Sequence, residues 1–232
     1  MYLFGFSRGA FTVRSLAGML SKSGLLDTKQ GNLVEYASKI YNTDQNDDVA
    51  AEFRKAFSRS CPIHFIGVWD TVESLMMNAG KRFHDVTLSP KVKHAYHAVS
   101  IDEQRKDFLP CLWDESRIVN GQHIEQVWFP GVHCDVGGWY QECGLSNGAL
   151  QWMLRKAMAC KMKVNESKLA QYAPNPHDTL HDSRSGLWKI RGRHVRKIPE
   201  GAFIHHSAIK RRDKKNNKYN PGNLPSELKI VK

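Results

Sequence analysis

The chain opens Met1-Tyr2-Leu3-Phe4 and runs through Gly5-Phe6-Ser7-Arg8-Gly9 into a helix-forming stretch from Ala10. A short apolar strand, a G-x-S-x-G turn and a helix make one constrained unit, because so sharp a turn forces its central residue to protrude. Glycine is expected at 5 and 9, since a Cβ at either would collide with the neighbouring strand or helix. The Ser7 hydroxyl then stands above a sheet, and the positive end of a helix behind it favours developing negative charge. A serine in such a turn can also be a plain helix cap. The unit therefore constrains the fold more firmly than the chemistry.

The rest of the pattern supplies the sheet this unit needs. Helices are predicted over 11–20, with Gly24 as the stop, and over 32–41 and 47–59. The run 63–69, Ile-His-Phe-Ile-Gly-Val-Trp, is almost continuously apolar and ends at Asp70, as expected of a strand buried on both faces of a parallel sheet. Ser89-Pro90 reads as a cap and first turn, predicting a helix through Val99. A second buried strand is predicted over 124–129, ending in Pro130-Gly131-Val132-His133, and a strong helix over 147–160. Pro174, Pro176, Pro199 and scattered charges make 165–200 loop-rich. Strands alternating with helices give an α/β fold with a mostly parallel sheet. Residues 1–164 are expected to be its catalytic part, with 165–232 a basic, loop-rich segment packing on the same domain.

At 232 residues and 41% apolar content, one domain with a sizeable core is expected. The net charge of +11 is local: residues 184–218 hold twelve Lys or Arg against two acids, Glu200 and Asp213. Such a concentration attracts anionic surfaces such as lipid headgroups, nucleic acid or an acidic partner, although a solvated lysine-rich loop has the same composition. Only Trp188 and Phe203 interrupt it as aromatics, which argues against a stacking platform for single-stranded nucleic acid. The five cysteines are widely spaced and contain no C-x-x-C, so free thiols in a reducing compartment are expected. No apolar run has the length of a membrane span, and Met1 is not followed by a signal-peptide pattern.

Ser7, Asp70 and His133 each fall at or just past the end of a predicted strand, where an open α/β sheet places its ligands. Their chain order is that of α/β-hydrolases. Ser7 would be the nucleophile, His133 the base that takes its proton, and Asp70 the acid that fixes the imidazole tautomer. The backbone N–H of Arg8 would be one oxyanion donor. Alternatives stand beside each. Asp70 followed by Thr71 could cap the next segment, Asp135 could be the acid, and His205 or His206 could be the base. His177 and His181 are four apart with Asp178 and Asp182 beside them, but the region is proline-rich rather than helical. No metal or other cofactor is therefore expected.

At these residues the chain resembles a bacterial and fungal α/β-hydrolase family that includes the type VI secretion phospholipase effectors. The resemblance is carried by Gly5-Phe6-Ser7-Arg8-Gly9-Ala10 with 13–19, by 65–72, 97–103 and 126–133 with 135–138, and by Ile204-His205-His206-Ser207 and 219–225. It implies a partial α/β-hydrolase fold and a serine esterase acting on acyl esters, phospholipid being the best-known substrate class. It also implies a segment before the elbow, with early strands and an Asp-Gly-Thr-type motif. The expectation is an N-terminally truncated catalytic domain without the second oxyanion donor, a loss of about 10²–10³ in rate, and with Tyr2-Leu3-Phe4 as an exposed edge. The competing expectation is a catalytically impaired remnant that binds anionic membranes through 184–218. The expected location is the cytoplasm of the producing cell, or export by a type VI-like route.

Overall fold

Six parallel strands form the centre of the structure, a computed structural model that describes residues 1–43, 47–72, 87–215 and 218–232. They are β1 (Tyr2–Phe6), β4 (Ile63–Trp69), β5 (Val92–Ser100), β6 (His123–Phe129), β7 (Ala202–His205) and β8 (Leu228–Val231), side by side in that order. A separate two-stranded ladder pairs β2 (Leu25–Leu26) with β3 (Ser58–Arg59). The helices are α1 (Arg8–Ser23), α2 (Val34–Asn42), α3 (Asp47–Phe57), α4 (His133–Gly137), α5 (Gly144–Ala159), α6 (Glu166–Leu169) and α7 (His206–Asp213).

The sheet is covered on both faces, which is why its central strands read as nearly unbroken apolar runs. Along β4 the period of two sends Ile66 and Val68 into a core with Ala10, Ala17 and Leu20 of α1. Phe65 and Trp69 go to the opposite core with Ala149, Trp152, Met153 and Ala157 of α5. The buried positions of α1, among them Ala10, Arg14, Ala17 and Leu20, recur every three or four residues. Arg14 reaches the core only because its charge is used: its guanidinium lies 4.6 Å from the Trp113 ring centre and donates to the Cys111 carbonyl at 2.5 Å. Truncating Phe65 to alanine would open both a cavity and the sheet–α5 seam, at a cost of about 3–5 kcal/mol.

The segment 89–99 differs from its expectation. It is strand β5, between β4 and β6, with Ile63 opposite Val92 and Ser100 opposite Phe129. Ser89 and Pro90 precede the strand rather than capping a helix, and the Ser89 carbonyl accepts from the Gln122 side chain at 2.8 Å. Tertiary context wins: two flanking strands each offer this segment a ladder, and Tyr96 and Ala98 fill the α5 core while Ala95 fills the α1 core. The other long elements lie within a few residues of where the sequence puts them. The segment beyond 164 adds β7 and β8 to the same sheet. No described helix is long and apolar enough to cross a membrane.

Candidate active site

Ser7 occupies the junction of β1 and α1. The ladder continues one residue past the strand, with the Ser7 N–H donating to the Trp69 carbonyl at 3.0 Å, and the chain then turns at φ 57° and ψ −119°. That conformation costs a non-glycine residue about 1–3 kcal/mol and is held only where the surroundings impose it. The Ser7 side chain makes no capping hydrogen bond to α1, so the helix-cap alternative does not describe it. A Cβ at Gly5 would overlap the backbone of Gly9 and Ala10, as the elbow demands. Gly9 differs from expectation, since a Cβ there meets no described atom within 4 Å. The close approach is made by Gly5, whose Cβ would meet the backbone of residue 9, whereas residue 9 already belongs to α1 and its own Cβ direction is open. Arg8 is the first residue of α1.

Asp70 follows β4 and is also in the left-handed region, at φ 41°. Its buried carboxylate is fully engaged. Oδ1 accepts from the Ser100 N–H at 2.9 Å and from Nη1 of Arg196 at 2.6 Å. Oδ2 accepts from Nη2 of Arg196 at 3.0 Å and lies 2.6 Å from Nδ1 of His133. Burial works to raise the acid's pKa, but the Arg196 guanidinium and the His133 bond outweigh it and hold Asp70 well below the usual carboxylate range. Its oxygens bind His133, Arg196 and the Ser100 N–H, while the N–H of the next residue, Thr71, donates to Nε2 of His97 at 3.1 Å.

An ionised carboxylate can only accept, so Nδ1 of His133 carries a proton, and in the neutral ring the lone pair is on Nε2. His133 opens α4 and is buried. Its ring lies between Phe6, at 4.5 Å, and Phe108, edge-on at 5.0 Å. Phe6 is the residue before Ser7, so the imidazole sits against the elbow. A methyl at Gly137 would run into the same Phe6 ring, which ties the far end of α4 to β1 as well. The His133 N–H donates to Glu103 at 3.2 Å. Glu103 also accepts from the Arg105 side chain at 3.0 and 2.9 Å and from the Ser183 hydroxyl at 2.9 Å. Burial raises the pKa of Glu103, but the Arg105 bonds win and hold it below the ordinary value.

The other candidates go elsewhere. Asp135 bonds His181 rather than His133, with Nδ1 of His181 at 2.6 Å from Oδ1. His205 ends β7, stacks on Phe129 at 4.4 Å and is pushed down to about 3, chiefly by burial and then by His206 and Lys210. His206 opens α7 with its ring 4.3 Å from that of His205. β7 stands four strand positions from β1, roughly 19 Å across the sheet. Asp178 accepts from the Gly144 N–H at 2.7 Å, and among the described residues no cluster of three or more His, Cys, Asp or Glu is placed to hold a metal ion.

Sequence reasoning missed Arg196 altogether. It is buried, and besides Asp70 it donates to the Ser100 carbonyl at 2.9 Å, the Ser100 hydroxyl at 2.8 Å and the Phe108 carbonyl at 2.7 Å. Within a run read as a basic face for anionic surfaces or a solvated loop, its one signal is the two-residue spacing to the apolar Ile198, which is also buried.

An α/β sheet flanked by helices thus carries a strained serine at its first strand–helix junction and a buried Asp–His pair beside it. The chain belongs to the T6SS phospholipase effector Tle1-like catalytic-domain family, whose model matches residues 1–156. An uncharacterized protein of Saccharomyces cerevisiae, YEL023C, is 39% identical over 120 residues, 47% of this chain and 18% of its own length. Among solved structures, an uncharacterized protein from Pseudomonas aeruginosa is similar at 22% identity and TM-score 0.43, over 76% of this chain and 26% of that one. The Tle1 effector bound to the VgrG spike of the type VI secretion system is similar at 20% identity and TM-score 0.35, over 61% of this chain and 24% of that one. The chain spans about a fifth of the length of the curated relative and about a quarter of each of these structures.

Proposed function

We propose that this chain is a serine carboxylic-ester hydrolase acting on the acyl esters of lipids, with Ser7 as nucleophile, His133 as base and Asp70 as its acid partner. Nε2 of His133 takes the Ser7 proton as Oγ bonds to the ester carbonyl carbon, and the carbonyl oxygen gains the negative charge. The Arg8 N–H, at the positive end of α1, is the donor for that oxygen. Asp70 stabilises the imidazolium while the Nδ1 proton stays on the ring. The imidazolium then gives its other proton to the departing alcohol, leaving an acyl-Ser7 ester, and water repeats the sequence to release the carboxylic acid. Residues 1–164 carry these three groups, and 165–232 supplies Arg196, which holds Asp70 ionised and oriented. The observation that supports this reading is the 2.6 Å bond between Asp70 and a His133 ring that sits against the strained elbow.

The test is hydrolysis of a fluorogenic short-chain ester by wild type and Ser7→Ala, with fluorophosphonate labelling of both. Wild type is expected to turn over and to label. Ser7→Ala is expected to lose labelling and activity by a factor on the order of 10⁴ or more. Equal activity of the two proteins overturns Ser7 as the nucleophile. Vesicle binding by a wild type that neither labels nor turns over favours the membrane-binding remnant instead.

A further inference from the structure

Among the described residues, the two most exposed large aliphatic side chains both lie in the stretch 186–195. A single 3-10 turn, Gly186–Lys189, leads into it. Leu187 is 80% exposed, Ile190 83% and Val195 48%. Lys189, Arg191 and Arg193 stand between them, also exposed. Trp188 points the opposite way: its ring is edge-on to Phe108 at 5.3 Å, and Phe108 is edge-on to His133. The Arg105 guanidinium lies over both, 3.5 Å from the Phe108 ring centre and 5.1 Å from that of Trp188.

The loop is also fastened at its base. Arg191 pairs with Asp107 at 2.7 Å, the His194 N–H donates to the Gln104 carbonyl at 2.9 Å, and the backbone of Arg193 forms an antiparallel β-bridge with that of Arg105. An inward tryptophan thus bolts the loop beside His133 and leaves its apolar tip outside. A second exposed anchor lies six residues beyond His133. Trp139 is 92% exposed and is held at φ 123°, which its indole side chain would not adopt unforced. Its neighbour Tyr140 stacks at 3.7 Å on His181, which bonds Asp135 of α4.

Cations interleaved with bare aliphatic side chains match the lipid–water interface. Aliphatic groups gain by entering the boundary between headgroups and acyl chains, and Lys and Arg gain by meeting phosphates. A solvated basic loop has no use for Leu and Ile so exposed, and neither residue offers a nucleic acid a stacking face. We propose that residues 186–195 are an interfacial docking loop that seats this protein on an anionic phospholipid surface, with Leu187 and Ile190 as its inserted tip. The loop's purpose rests on the hydrolase reading above. Its location narrows the basic segment considerably. Arg196 turns inward to Asp70, and Arg211 turns inward to the carbonyls of Pro176 and Asp178 at 2.8 and 2.6 Å, so 184–218 is not one charged face.

The experiment is cosedimentation of the full chain with phosphatidylglycerol–phosphatidylcholine vesicles and with phosphatidylcholine alone. The proteins compared are wild type, the double variant Leu187→Asp/Ile190→Asp and the double variant Lys189→Glu/Arg193→Glu. All four positions are exposed, and matching thermal melts are expected. Wild type is expected to bind the anionic vesicles in a salt-dependent way. Each double variant is expected to lose binding at least tenfold, and with it hydrolysis of vesicle lipid, while hydrolysis of a monomeric short-chain ester is unchanged. Equal binding by wild type and the Asp variant overturns the proposal, as does failure of wild type to bind at low salt. Loss of vesicle binding in the variants of a protein inactive on every ester sinks the hydrolase reading and leaves the docking loop standing.

Discussion

Two carboxylate–imidazole pairs involve residues two apart on α4, and both close at 2.6 Å. His133 bonds Asp70, and Asp135 bonds His181. Their surroundings part them. Nε2 of His181 faces Glu142 at 3.3 Å and the ring is stacked under Tyr140 at 3.7 Å, so an acid stands at each nitrogen. His133 has an acid at one nitrogen and the elbow beside it. Asp70 has a guanidinium on both oxygens, whereas Asp135 is satisfied by His181 and by the Val132 N–H at 3.0 Å. A short bond between Asp and His therefore does not identify a base. Under the proposed function, the distinction rests on the group beyond the second nitrogen and on whatever keeps the acid ionised.

That contrast breaks most sharply in activity. His133→Asn is expected to lower ester turnover by a factor on the order of 10⁴, while His181→Asn stays within about tenfold once corrected for folded fraction. Comparable losses in the two, measured as initial rates on a monomeric ester, would erase the distinction. Stability separates the acids next. Asp70→Asn strands the buried Arg196 charge and is expected to cost about 3–5 kcal/mol in denaturant melts. Asp135→Asn, which removes a partner from neutral donors and one imidazole, should cost about 1–3 kcal/mol.

The smallest effect is a pH dependence. Asp102 is partly buried and accepts from the Gly131 N–H at 2.6 Å and the Tyr219 hydroxyl at 2.9 Å; burial pushes it up to about 6, against these bonds and the Arg211 charge. A folded pKa above the unfolded one means that folding takes up a proton. Its contribution is complete below the unfolded value and is lost as pH rises through about 6. Asp70 has the opposite sign: its contribution is present above the unfolded carboxylate value and fades only in stronger acid. Melting temperatures of wild type should fall between about pH 4 and 7 relative to Asp102→Asn. Parallel curves for the two would remove Asp102 from this account.

Much of this was legible in the sequence because it is local. The apolar run 63–69, the strand over 124–129 and the glycine-serine turn each announce themselves within ten residues. β5 did not, because Ser89-Pro90 mimics a helix start and Lys93, His94 and His97 break the apolar run. In the fold His97 is satisfied sideways, accepting the Thr71 N–H at 3.1 Å and bonding Gln126 at 3.3 Å, contacts that no local pattern encodes. Of the site, the Ser7 turn and the ends of β4 and β6 could be read, but not the pairing of His181 with Asp135 or of Arg196 with Asp70. Both join residues far apart in the chain, and Arg196 is hidden among cations that do face solvent.

The bond from Arg196 to Asp70 spans 126 residues. Ser7, Asp70 and His133 all leave the ribosome before it can form, by several seconds at synthesis rates of about 5–20 residues per second. Until then, folding β4 into the sheet would bury the Asp70 carboxylate with no cation to meet it, an expensive arrangement. The sheet centre and the candidate site are thus expected to consolidate together, after a long loop has closed. Synthesis as far as residue 196 would then act as a timer on the surroundings of Asp70, which gain their cation only after both His133 and the elbow have been made.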